Sequence, residues 1–172
     1  YLDRNVDFVI IGEGETTLKE LINKLDKREN DFESIDGLAF RKDGKTIKTS
    51  SRQILKELDT LPLPPWDLVN INDYRNIWLT HNKYFSLNIA TTRGCPFKCN
   101  WCAKPIYGNR YNSRSVKHVI AELKYLHQIF DFDHIWFCDD IFGLKPGWVE
   151  EFAKAVANEK LTFKFKIQTR VD

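Results

Sequence analysis

The chain has 172 residues, with 26 Lys and Arg against 24 Asp and Glu, a formal net charge of +2. That near balance leaves no basic block for nucleic acid, and no apolar run is long enough for a membrane span or a secretory leader. Four cysteines, three of them in one run, do not make the disulfide framework of a small secreted domain; reduced thiols in a cytoplasm fit better. Neither end carries a start or stop signal, so the sequence reads as a piece of a longer chain.

The first element is a short apolar run, Val6 to Ile11, followed by Gly12-Glu13-Gly14-Glu15. Leu18, Leu21, Ile22 and Leu25 then recur at helical spacing, with Thr17 and Glu20 (or Thr16 in place of Thr17) offering a capping box. Strand, tight turn and helix are the grammar of an α/β layer. Glycines in such a turn let backbone N–H groups approach a phosphate-bearing tail, although the two glutamates would repel an anion, and a plain strand-to-helix turn accounts for the pattern equally well. Ile35 to Thr49 reads as a β-hairpin turning at Asp43-Gly44. Leu61-Pro62-Leu63-Pro64-Pro65-Trp66 is the clearest linker, because prolines exclude helix and central strand.

The second half repeats a unit. Phe85, Leu87 and Ile89 alternate as a strand that runs up to Cys95-Pro96-Phe97-Lys98-Cys99-Asn100-Trp101-Cys102. Ser115 caps a helix carrying Val116, Val119, Ile120, Leu123 and Leu126. Ile135 to Cys138 is a second strand ending in Asp139-Asp140. Pro146 suits the first turn of a helix with Val149, Phe152, Ala153 and Val156 on its stripe. Phe163, Phe165 and Ile167 give a third strand, ending at Arg170. Strand and helix in alternation imply a parallel sheet with right-handed crossovers.

Ligands in such folds sit at the carboxyl ends of the strands. The cysteine loop, Asp139-Asp140 and Arg170 all fall on that rim. On the third strand the two-residue period puts Lys164, Lys166, Gln168 and Arg170 on one face and Phe163, Phe165 and Ile167 on the other. The apolar face should meet the helices. The polar face then lines a partly open lumen, or is the wet side of an edge strand.

Three thiolates spaced C-x3-C-x2-C can hold three irons of a cubane cluster and leave the fourth iron open. The stretch Thr92-Arg93-Gly94-Cys95-Pro96-Phe97-Lys98-Cys99-Asn100-Trp101-Cys102 resembles the cluster loop of radical S-adenosylmethionine (radical SAM) enzymes. Gly108 to Ser115, Phe137 to Phe142, Thr169 to Asp172 and Val6 to Glu15 resemble the cobalamin-binding branch of that family. The resemblance implies an α/β chain in three parts. Residues 1–60 would be the end of a Rossmann-like cobalamin-binding domain with its hairpin, 61–84 a Pro-rich linker, and 85–172 the first three βα units of a partial (β/α)6 radical SAM barrel. It implies that Cys95, Cys99 and Cys102 each ligate one iron of a 4Fe–4S cluster whose free iron chelates S-adenosylmethionine. Reductive cleavage would then yield methionine and a 5′-deoxyadenosyl radical that takes hydrogen from an unreactive carbon. Trp101 would lie near the adenine, Asp140 and Arg170 would make polar contacts to S-adenosylmethionine, and the Gly12-Glu13-Gly14 turn would lie near the cobalamin tail. A small-molecule substrate and an electron donor such as flavodoxin or ferredoxin are the implied partners. The implied reaction is cobalamin-dependent methylation of an unactivated carbon, or oxidative cyclisation of the porphyrin-pathway kind. The D-x-H-x-x-G segment that ligates cobalamin in many of these relatives would precede Tyr1.

A rival account needs no catalysis: a structural zinc site in a binding module, with Cys138 as fourth thiolate. Zinc favours two C-x2-C pairs, and one is present. Cys138, inside a strand-like run, is expected to be a small buried hydrophobe. His81, His118, His127 and His134 show no metal-ligand spacing and are expected to be surface or packing residues.

Overall fold

A computed structural model describes residues 1–104 and 106–170. Val171 and Asp172, the end of the Thr169 to Asp172 stretch, lie outside the described residues. The backbone divides into two units, Tyr1–Lys56 with Trp101–Tyr107, and Glu57–Asn100 with Gly108–Asp172.

The first unit holds strand β1 (Phe8–Ile10), helix α1 (Glu15–Asp26) and strands β2 (Leu38–Lys42) and β3 (Lys45–Lys48), in the sheet order β1-β2-β3. The hairpin forms as its turn chemistry requires: Asp43 and Gly44 have φ of 50° and 74°, the pair of positive values that a tight two-residue turn needs. Both pairings are antiparallel, with Phe8 opposite Phe40. The aromatic rings of Phe8, Phe32 and Phe40 meet there, and Leu21, Ile35 and Leu38 complete the core. Gly37 is held at φ 74° where a Cβ would stand 3.0 Å from the Ile11 carbonyl oxygen; its own carbonyl accepts from the Ile11 N–H at 2.8 Å.

Helix α1 departs from the sequence reading in two ways. Gly14, without a side-chain bond, occupies the cap position, and Thr17 lies inside the helix. Thr17 is fully buried, and its hydroxyl serves the interior: it donates to the Asp36 carbonyl at 2.8 Å and accepts from Arg52 Nε at 2.7 Å. Glu20 pairs with Arg52 instead of reaching back to a cap. Of the expected apolar stripe only Leu21 is buried, while Leu18, Ile22 and Leu25 face outward.

The second unit begins with the proline segment, which carries short 3-10 turns at Leu58–Thr60 and Trp66–Leu68. Within the stretch read as linker lies a 12-residue helix, α2 (Ile71–Asn82), none of whose residues is fully buried. Its weak amphipathicity explains why the sequence did not announce it. Then follow β4 (Ser86–Ile89), β5 (Thr92–Arg93), β6 (Asn112–Ser113), α3 (Val116–Ile129), β7 (His134–Phe137), α4 (Trp148–Asn158) and β8 (Lys164–Lys166). Strands β4, β7 and β8 form a parallel sheet in that order, as strand–helix alternation predicts. Ser115 caps α3, its hydroxyl accepting from the His118 N–H at 3.1 Å.

Helix α4 starts two residues later than its proline suggested. Gly147, at φ 75°, is the cap, so Pro146 stands outside the helix. Its buried side is set by Trp148, whose ring stacks on Phe152 at 5.1 Å and whose Nε1 donates to the Arg114 carbonyl at 2.8 Å. Burying an indole with its N–H satisfied outweighs burying a valine, so the helix turns Val149 and Ala153 outward.

Register fixes the two faces of the parallel sheet. Leu87, Ile135 and Phe165 align in one row, and Ile89 aligns with Phe137 in the next. These side chains meet α3 and α4, with the rings of Phe142, Phe152, Phe163 and Phe165 all within 6.4 Å of Phe137. The opposite face carries Ser86, His134 and Lys164 in one row and Asn88, Trp136 and Lys166 in the next. Lys164 and Phe165 therefore lie on the faces that the two-residue period assigns them.

Candidate functional site

The cysteine loop springs from the two-rung ribbon of β5 and β6, where Thr92 pairs with Ser113 and Arg93 with Asn112. Its root is fixed from two sides. Asp139, at the end of β7, is only 1% exposed. Its carboxylate accepts from the Thr91 N–H at 2.7 Å, the Thr91 hydroxyl at 2.6 Å and the Thr92 N–H at 2.8 Å. Arg114 holds the other side, donating from its backbone N–H to the Thr91 carbonyl at 2.9 Å and from Nη1 to the Ala90 carbonyl at 2.8 Å. Arg114 is itself held by an ion pair with the buried Glu122 at 2.6 Å, and Glu122 also accepts from Trp66 Nε1 at 3.0 Å. Burial pushes the Asp139 carboxyl above the usual carboxylate range, against the pull of the hydrogen bonds from Thr91 and Thr92.

The sequence placed the two adjacent aspartates together on the rim where ligands sit; the structure separates them. Asp139 is an internal staple between strand ends, and Asp140 is exposed on the rim. The signal for this role was present in the parity of β7: a strand whose odd positions face the core should turn Asp139 inward, where the two threonines ahead of the loop supply donors. The same parity turns Cys138 outward. Its thiol is exposed, a correction to the expected buried hydrophobe, and donates weakly to the Trp136 carbonyl at 3.6 Å. Partial desolvation of its sulfur, followed by the neighbouring Asp139, pushes that thiol up.

None of the four cysteines is in a disulfide. Cys95 is 8% exposed, Cys99 is half-buried, and Cys102 is exposed. Among the described residues no three Cys, His, Asp or Glu side chains gather closely enough to hold a metal ion. The donor set nevertheless suits a thiophilic iron cluster: three cysteine sulfurs outside any disulfide lie on one short loop without a helix or strand of its own between Gly94 and Lys104.

Arg170 is brought to this loop. Its guanidinium carbon stands 4.1 Å from the ring centre of Phe97, between the first two cysteines in sequence. Trp101 is 88% exposed. In the first unit, Gly12 adopts φ 87°, Gly14 caps α1, and Glu13 is buried with its carboxylate accepting from the Leu55 N–H at 2.6 Å. The histidines serve packing and hydrogen bonding: His118 accepts from Arg114 Nε at 3.0 Å, His127 bonds the Leu123 carbonyl at 2.8 Å, and His134 bonds Ser86 at 2.8 Å.

No family model matches the chain. An uncharacterized methyltransferase of Pyrococcus horikoshii is 32% identical over 97% of this chain and 35% of its own length. The anaerobic magnesium-protoporphyrin IX monomethyl ester cyclase of Synechocystis is 29% identical over 97% of this chain and 32% of its own length. The solved structure of the cobalamin-dependent S-adenosylmethionine radical enzyme OxsB, with aqua-cobalamin and S-adenosylmethionine bound, superposes with a TM-score of 0.70 at 23% identity, over 92% of this chain and 22% of that one. The fold is thus the mixed α/β fold of radical SAM cobalamin enzymes. The curated relatives are a methyltransferase and a cyclase, the superposed structure is a cobalamin-dependent S-adenosylmethionine radical enzyme, and each match runs along nearly all of this chain's sequence. The chain spans about a third of the length of the curated relatives it matches. No described helix is long and apolar enough to cross a membrane.

Proposed function

We propose that this chain is the cluster-carrying segment of a radical SAM enzyme that functionalises C–H bonds, most simply by cobalamin-dependent methyl transfer. The observation that carries this is the C-x3-C-x2-C run of cysteines, none in a disulfide, on a loop whose root is pinned at the carboxyl edge of a parallel sheet. Residues 1–60 are read as the end of the cobalamin domain with its hairpin, 61–84 as the connection, and 85–172 as the first three units of a (β/α)6 barrel. The polar face of the sheet then lines the reaction chamber.

Cys95, Cys99 and Cys102 would hold three irons of a 4Fe–4S cluster. Such a cluster would supply the one-electron reduction, drawn from a flavodoxin- or ferredoxin-type donor, that cleaves S-adenosylmethionine to methionine and a 5′-deoxyadenosyl radical. The chain's own residues position and shield. Asp139 and Arg114 fix where the loop begins. Arg170, already against Phe97, would hold the carboxylate of S-adenosylmethionine, and the exposed Asp140 would accept from its amino group. Trp101 offers its exposed ring to the adenine. In the Gly12-Glu13-Gly14 turn the Glu13 side chain is engaged with the Leu55 N–H, so contact with a cobalamin tail would fall to the backbone.

The cyclase relative favours a second reading, oxidative ring closure, with the same cofactors. Anaerobic protein supplied with dithionite and S-adenosylmethionine is expected to release 5′-deoxyadenosine, and Cys99→Ala to abolish it. Wild-type release undiminished in Cys99→Ala removes the proposal. Transfer of label from S-adenosyl-[methyl-13C]methionine to the product separates methylation from cyclisation.

A further inference from the structure

The polar face of the parallel sheet is rich in donors and carries no carboxylate among its six registered residues, Ser86, Asn88, His134, Trp136, Lys164 and Lys166. Ser86 and His134 bond to each other at 2.8 Å. Trp136 Nε1 is buried with no hydrogen-bond partner. Beside it on β8 stands Lys166, its Nζ 4.7 Å from the Trp136 ring centre, and no described acidic side chain pairs with Lys164 or Lys166. An indole N–H can only donate, and so can an ammonium. A buried donor left unmet costs free energy, and two lysines on one short strand with no counter-charge repel each other. Burial holds the His134 imidazole below its ordinary range, and Lys166 and Lys164 push the same way, which shows the sign of the field over this face.

We propose that this face binds the anionic group, phosphate or carboxylate, of the enzyme's small-molecule substrate, with Lys164 and Lys166 supplying the charge and Trp136 Nε1 a directed hydrogen bond. The assignment rests on reading this face as the wall of the reaction chamber. An anion there meets the unpartnered indole and neutralises both ammoniums, while the sheet's aromatic side remains packed on the helices. Lysine at these two positions acts as a point charge, so arginine preserves the site and glutamine removes it.

The test uses the intact protein labelled with 15N at its tryptophan indoles, and Trp136→Phe to identify the Trp136 resonance. Inorganic phosphate and acetate are titrated separately at constant ionic strength. A saturable downfield shift of the Trp136 indole is expected, weakened about tenfold in each of Lys164→Gln and Lys166→Gln and retained in Lys166→Arg. A response to phosphate alone assigns a phosphate-bearing substrate, and to acetate alone a carboxylate. No shift with either anion, or an equal shift in the Lys164→Gln/Lys166→Gln double variant, overturns the proposal. The signal requires neither iron nor S-adenosylmethionine, so its failure leaves the radical chemistry standing, and a protein without iron leaves the anion site standing.

Discussion

Asp139 shows how much one side chain can do at a strand end. Its carboxylate gathers two backbone N–H groups and a hydroxyl from Thr91 and Thr92, the two residues that launch the cysteine loop. Replacing it with alanine strands those donors in a buried place and frees the loop root. In Asp139→Ala, Cys95 is therefore expected to react with iodoacetamide about tenfold faster or more, approaching the exposed Cys102; unchanged labelling of Cys95 would mean the loop is fixed elsewhere. Asparagine is different, because its amide can accept from the N–H groups and donate to the Thr91 hydroxyl. It also removes a titration. The native carboxyl is raised above its unfolded value of 3.8, so the native state keeps its proton more readily and stability falls as pH rises through that window. The stability of Asp139→Asn relative to wild type should therefore improve as pH rises above the unfolded carboxyl's 3.8 in denaturant titrations. A relative stability that declines over that range contradicts the burial of the charge.

The elements obeyed local chemistry wherever that chemistry was strong. Asp43-Gly44 made its hairpin, Ser115 its cap, and the alternation in Phe85, Leu87 and Ile89 its strand. Where a tertiary demand competed, local signals lost. Thr17 gave its hydroxyl to Asp36 and Arg52 rather than to a helix end, and Trp148 rotated α4 away from the valine stripe. Helix α2 carries a stripe too weak to announce it: Ile71 and Leu79 lean on the core, and none of its residues is fully buried. The Ser115 cap joins α3 to the Asp59 carboxylate, which accepts the Ser115 N–H at 2.9 Å. Ser115→Ala is expected to cost about 1 kcal/mol in chemical denaturation, the usual worth of such a cap. Loss of several kcal/mol would mean that the Asp59 contact fails with it.

Across the whole chain, the cysteine loop, the βα alternation and the rim were legible because they rest on spacing and period. The roles of Asp139, Cys138 and the Arg114–Glu122–Trp66 cluster were not, because they depend on which strand ends meet. The surface also carries apolar side chains that a finished assembly would cover: Leu68, Val69, Tyr74, Ile77 and Trp78 on and before α2, and Phe165, 57% exposed, on β8. The 172-residue chain alone is expected to self-associate as its concentration rises in analytical ultracentrifugation, and a monodisperse monomer throughout would show those faces to be tolerated in water. The most direct test is the metal content of the intact protein prepared without oxygen. About four iron and four sulfide atoms per chain, absorbance near 400 nm, and loss of both on replacing Cys95, Cys99 or Cys102 are expected. Stoichiometric zinc without iron, bound by the same three sulfurs, would contradict it.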